Sequence, residues 1–196
     1  MIPIIIVLFL FTPLAAIADG EGIVVFQEGD GIDAELEQRA SSAVDIALHQ
    51  QGVENRVSIV QNGAVDSAAI LMQSGTGNRI RVEQQSVQAS LMRMSQGGEH
   101  NTLIAAATGT SIELELIQDG SDNHTQVVAV GHDISFQANQ SGNGNELIAD
   151  QLGSGVHASV SQFGNGNLIE VVQNADGAGI TVYQTANGVR TTITQN

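Results

Sequence analysis

The sequence predicts an all-β fold, a parallel β-solenoid of about seven strand–turn–strand repeats of 22–23 residues each. Three observations predict it. The pattern Gln-x-Gly-x-x-Asn returns at nearly constant spacing along most of the chain. Between its copies, alternate residues are small or apolar over runs of five to seven, the mark of strands with one buried face. The composition is rich in Gly (22 residues) and only 3% aromatic, which suits tight turns and short strands better than a globular core built on large rings.

Taken from the start of the chain, residues 1–18 carry no charged side chain, and residues 4–11 are an unbroken apolar run. Ala16-Ile17-Ala18 supplies a small-x-small cleavage pattern, so this stretch reads as a secretory signal peptide cleaved after Ala18. It is too short for a membrane-spanning helix, which needs about 20 apolar residues. The mature chain is thus expected to have no transmembrane segment. Residues 19–40 come next, as an acidic N-terminal segment without the repeat. Seven acidic residues and no basic one lie between Asp19 and Gln38, which suits a solvated, flexible arm.

The repeat region is residues 41–196. The motif occurs at Gln50-Gly52-Asn55, Gln73-Gly75-Asn78 and Gln96-Gly98-Asn101, then at Gln118-Gly120-Asn123, Gln140-Gly142-Asn145 and Gln162-Gly164-Asn167. Successive Asn residues are 23, 23, 22, 22 and 22 apart. A degenerate copy begins at Gln184, with Ala186 and Val189 in the Gly and Asn places. Each unit halves again, since Gln140, Gln151, Gln162, Gln173, Gln184 and Gln195 fall every eleventh position, and Gln61 and Gln84 take the same half-way place upstream. The 23-residue spacings imply one-residue slips near Asn62 and near Gln84-Gln85.

One such unit cannot bury its inner face alone, but stacked copies can. In-register stacking sets Gln over Gln and Asn over Asn, so buried amides become hydrogen-bonded ladders between rows of Val, Ile, Leu and Ala. Ala107 and Ala129 stand where Gln closes the other units, so one ladder should break in mid-stack. At roughly 4.8 Å per layer, seven units make a rod on the order of 34 Å long.

The charge balance excludes several functions. Six Arg and no Lys stand against 21 acidic residues, a formal net charge of -15, so no basic patch is available for nucleic acid or an anionic membrane. The lack of Cys excludes a disulfide framework, a thiolate metal site and a Cys nucleophile.

The repeat resembles the curlin repeat, the unit of the curli subunits that build extracellular amyloid on Gram-negative bacteria. The family pattern is Ser-x5-Gln-x-Gly-x-x-Asn-x-Ala-x-Val-x-Gln, and the resemblance covers the chain from about Ser41 to Asn196. Asn145-x-Leu147-x-Ala149-x-Gln151 and Asn167-x-Ile169-x-Val171-x-Gln173 match its second half with apolar replacements. The leading Ser appears at Ser67 and Ser90, while Val44, Ile112, Ile134, Val156 and Ala178 depart from it. The resemblance implies a secreted subunit, of the major or the nucleating kind, that polymerises into adhesive cell-surface fibres supporting a biofilm matrix. It also implies a companion subunit, an export pore and accessory proteins, with residues 19–38 placed to guide export.

Other chemistry finds little support. The five His (His49, His100, His124, His132 and His157) occupy different phases of the repeat and show no paired ligand spacing. Glu113 and Glu115 share an outward face as a solubilising pair. The Gly-Asn-Gly-Asn steps at residues 142–145 and 164–167 lack the fixed Asp of a calcium loop. The reading is therefore a non-enzyme without cofactor. The alternative is a monomeric secreted solenoid that binds glycan or ice, although Thr191, Thr192 and Thr194 are a poor start for an ice-binding rank.

Overall fold

In the computed structural model, residues 5–7, 22–177 and 179–196 are described. The expected signal peptide lies outside them except for residues 5–7. After β1 (Ile5–Val7) the chain winds through β2 (Gly22–Asp30), β3 (Asp33–Arg39), β4 (Ser42–Val53), β5 (Arg56–Asn62), β6 (Val65–Thr76), β7 (Arg79–Gln85), β8 (Leu91–Glu99) and β9 (Thr102–Gly109). It continues through β10 (Glu113–Ser121), β11 (His124–Gly131), β12 (Ser135–Asn143), β13 (Glu146–Gln151), β14 (His157–Asn165), β15 (Leu168–Gln173), β16 (Gly179–Thr185) and β17 (Arg190–Gln195).

The strands from β2 onward alternate between two parallel sheets. The first has nine strands in the order β1-β2-β4-β6-β8-β10-β12-β14-β16, and the second has eight, β17-β15-β13-β11-β9-β7-β5-β3. Each coil gives one strand to each sheet, so eight coils stack into a β-solenoid. Parallel pairing is forced by the repeat, because every coil runs the same way round and shifts one layer. Period-two alternation then turns one side of each strand inward. Ile46, Leu48, Ile59, Leu71, Ile80, Met92, Met94, Leu103, Leu114, Leu116 and Phe136 are buried between the sheets. Each such side chain contributes about 1.5–3 kcal/mol by leaving water.

The expectation that residues 19–40 form a flexible arm outside the repeat is corrected, because Gly22–Asp30 and Asp33–Arg39 make the first coil. Gln27 pairs in register with Gln50, Gly29 with Gly52, and Gln38 with Gln61. Ile23, Val25, Ala34 and Leu36 continue the apolar rows inward. Asp33, Glu35 and Glu37 take the alternate positions of β3, so charge on the outer face does not oppose coiling. Ile32 stands where later coils have Asn, and that substitution hides the motif in the sequence.

The extra residue of the 23-residue coils lies where the spacing implied, in the arc that returns from the second sheet to the first. That arc turns at Ala40 and Ala43, at Gly63 and Asp66, and at Ser86 and Ala89, pairs of positive-φ residues three apart. In the first two 22-residue coils the turning residues are adjacent, Thr110-Ser111 and His132-Asp133, and in the arcs after β13 and β15 a single glycine, Gly155 or Gly177, takes positive φ among the described residues. The longer arc has room for an additional buried side chain, Ala64 or Val87, beside Ser67 or Ser90.

Candidate functional site: amide ladders and open sheet edges

The repeated polar residues meet inside the solenoid. In the first sheet, Gln27, Gln50, Gln73, Gln96, Gln118, Gln140, Gln162 and Gln184 form one unbroken ladder. Each Nε2 donates to the next Oε1 at 2.8–3.2 Å. Several of these Nε2 groups also donate to a backbone carbonyl of the preceding coil, as Gln73 does to Arg56 at 3.2 Å. An amide has donors and acceptors on opposite sides, so a column of Gln satisfies itself only if it continues.

The Asn and Gly places work together. Asn55, Asn78, Asn101, Asn123, Asn145 and Asn167 are buried. The Oδ1 of each accepts the backbone N–H of the residue one coil on, at 3.0–3.1 Å, and the last acceptance is from Val189. Asn78 Nδ2 donates to the Ser74 carbonyl at 2.8 Å, closing its own arc, and to the Gly98 carbonyl at 2.9 Å, tying down the next. The Gly is required by that approach. Gly75 has φ of +103°, and a Cβ there would fall on the carbonyl oxygen of Gly98. Gly52, Gly98, Gly120, Gly142 and Gly164 share this arrangement with the coil above each.

The half-way Gln residues form a second ladder that breaks as the sequence implies. Gln38, Gln61 and Gln84 bond in series at 3.0 and 2.6 Å, and Gln151, Gln173 and Gln195 at 3.0 and 3.3 Å. Ala107 lies in register over Gln84, and Ala129 beside Gln151. The two atoms that face the gap, Gln84 Nε2 and Gln151 Oε1, are buried without a hydrogen-bond partner.

Sequence reasoning missed four contributors. Gln27 and Gln38 were legible from the 23- and 11-residue periods, had the Asn place not been required. Thr125 is buried in the second sheet, where it accepts from Gln118 Nε2 at 3.0 Å and donates to Gln140 Oε1 at 2.8 Å. Thr191 accepts from Gln184 in the same way at 3.1 Å. Apolar residues occupy that place in other coils, so no periodic signal marks either Thr.

The ladders reach both ends of the stack. At one end β3 is the outermost strand of the second sheet, and β1 covers Ile23–Val25 of β2. At the other end β16 and β17 are outermost in their sheets. Ile180, Ile193, Ala34 and Leu36 are only partly buried there, since among the described residues no further strand lies over β3, β16 or β17. An outermost strand presents a row of unpaired N–H and C=O groups.

The sides offer less. An open trough on the first sheet's outer face is lined by Glu115, Ile117, Gln137, Asn139, Ser159 and Ser161. Among the described residues, no three His, Asp or Glu side chains gather where they could hold a metal ion, and no helix is long and apolar enough to cross a membrane. His100 and His132 lie in exposed arcs, near Asp122 and Thr110 respectively. Compared with protein-family models, curated proteins and solved structures, the chain matches none.

Proposed function

We propose that the chain is a structural subunit of extracellular, curli-like fibres, joining end to end by β-templating to support adhesion and a biofilm matrix. One observation carries the reading. The first and last coils present the same pattern of inward residues at the two ends, so one end is a template for the other. Gln27 and Gln38 end the ladders at the first coil, and Gln184 and Gln195 end them at the last. Once cleavage after Ala18 removes β1 from Ile23–Val25, a second molecule placed in register would continue both Gln columns, both apolar rows and the backbone pairing without any new kind of contact. By resemblance, the leader and an export pore deliver the chain, with a companion subunit and accessory proteins at the cell surface. No catalytic role or cofactor enters this reading.

The runner-up is a monomeric binding solenoid. The observation in its favour is the last arc, where Ala186 and Val189 replace Gly and Asn and β16 stops at Thr185. Atypical terminal repeats are how monomeric solenoids close their stacks. The test releases residues 19–196 from denaturant and follows thioflavin fluorescence with and without preformed fibre seeds. The fibre reading expects a lag that seeds abolish, in a β-rich product. A folded monomer that never responds to seeds would sink it in favour of the capped solenoid.

A further inference from the structure

We infer that copies of this chain join head to tail with the joint selected by charge, the last coil of one copy docking on the acidic first coil of the next through Arg190 over Asp33. The inference rests on the fibre reading above, and adds which ends meet, in which register, and what chooses them.

The charges of the two terminal coils are opposite. Along Gly22–Arg39 the first coil carries Glu28, Asp30, Asp33, Glu35 and Glu37 against Arg39, five acids and one base, or -4. Residues 179–196, the last coil, hold Arg190 as their one charged side chain, or +1. Two first coils brought together would oppose -4 to -4, whereas the heterologous pairing joins -4 to +1. Only a heterologous joint leaves a free end of each kind after every addition, so it continues as a filament.

The register sets the contacts. In the second sheet one outward column runs Asp33, Arg56, Arg79, Thr102, His124, Glu146, Leu168 and Arg190. Extending it across the joint puts Arg190 against Asp33 of the next copy. Arg56 already pairs with Asp33 from the coil above, Nε to Oδ2 at 3.1 Å, so a guanidinium and this carboxylate meet across one layer spacing. Among the described residues Arg190 forms no ion pair, and it is exposed. The adjacent outward column places Thr192 against Glu35, and Thr192 already approaches Glu170 one layer down at 3.5 Å. The inward columns agree, with Gln195 meeting Gln38, Gln184 meeting Gln27, and Val189 meeting Ile32. Both ends lack the Asn of the intervening coils, so an apolar pair closes that corner. Among the described residues β3, which carries Asp33 and Glu35, has no strand over it.

The test compares seeded elongation of the mature chain, residues 19–196, at low ionic strength with that of three variants. Arg190→Glu is expected to elongate about tenfold more slowly, as one contact turns from attraction to repulsion. Arg81→Glu changes net charge equally but sits in mid-stack on the same outer face, and should elongate within about twofold of the wild type. Thr192→Arg adds a cation opposite Glu35 and should elongate several-fold faster. Equal slowing by Arg190→Glu and Arg81→Glu, or no gain from Thr192→Arg, overturns the joint while leaving fibre formation intact. A wild-type chain that never elongates from seeds overturns both the joint and the reading beneath it.

Discussion

At the scale of single residues, the cost of a buried amide depends on its neighbours one coil away. Gln73 is bonded to Gln50, to Gln96 and to the Arg56 carbonyl. Gln151 bonds to Gln173, while its Oε1 faces Ala129 without a partner. Leu has nearly the volume of Gln and no polar atoms. Gln73→Leu would strand an amide on each neighbour and the carbonyl besides, and should cost about 2–4 kcal/mol. Gln151→Leu takes one donor from Gln173 Oε1 but also removes an oxygen that has no partner, and should cost on the order of 1 kcal/mol. Urea unfolding of the soluble chain reads the difference. Equal midpoint shifts would mean that the ladders contribute no more than their shape.

Across the interior the break has a packing counterpart. Counting outward in steps of two from the Gln118–Thr125 bond, Ala129 faces Leu114, and the same count one coil earlier sets Ala107 opposite Met92. Gln84 and Gln173, by contrast, face Ala69 and Ala158. A large side chain on one sheet therefore accompanies a small one on the other at these four coils, whereas Gln61 and Gln151 by the same count face the large Ile46 and Phe136. The unpaired amide atoms are the remaining cost of changing from a polar to an apolar column.

At the scale of the coil, the arc after the first-sheet strand decides whether another layer can follow. The arc works when a Gly admits the carbonyl above it and an Asn offers Oδ1 to the N–H above it. In the last coil Ala186 and Val189 do neither for a layer beyond, although Val189 N–H still bonds to Asn167 at 3.0 Å. The joint between copies should therefore be weaker than the contact between coils of one chain. Ala186→Gly with Val189→Asn restores both functions, and each recovered bond adds on the order of 1 kcal/mol per joint. Fibres of the double variant should dissolve at a higher denaturant concentration than wild-type fibres. An unchanged midpoint would place this arc away from the joint.

Legibility in the sequence follows the same division. The coil period, both ladders, the break at Ala107 and Ala129 and the place of the one-residue slips could be read, because each repeats or interrupts a repeat. The first coil was missed through one residue, Ile32, and through reading acidity as disorder. Its acids fall on outward positions and in the arc, where they need no partner, so net charge says little about whether it coils. Thr125 could not have been found, since its role depends on which side chains face it across the interior.

At the scale of the whole molecule, charge acts in two opposing senses that salt can separate. A net charge of -15 makes every approach between copies repulsive at long range, and stacking concentrates that charge along a rod. The proposed contact of Arg190 with Asp33 is attractive, but it acts over a few ångströms at one place. The screening length falls from about 30 Å at 0.01 M to about 8 Å at 0.15 M, so added salt removes the long-range repulsion first. Elongation of the wild-type chain should therefore quicken as salt rises over this range. Arg190→Glu starts slower and should quicken more steeply, because salt relieves it of the local repulsion as well. The ratio of the two rates should fall toward one at high salt. Rates measured from identical seeds across a salt series would decide it. A wild-type rate indifferent to salt would remove long-range charge from the assembly, and a constant ratio between the two chains would remove Arg190 from the joint.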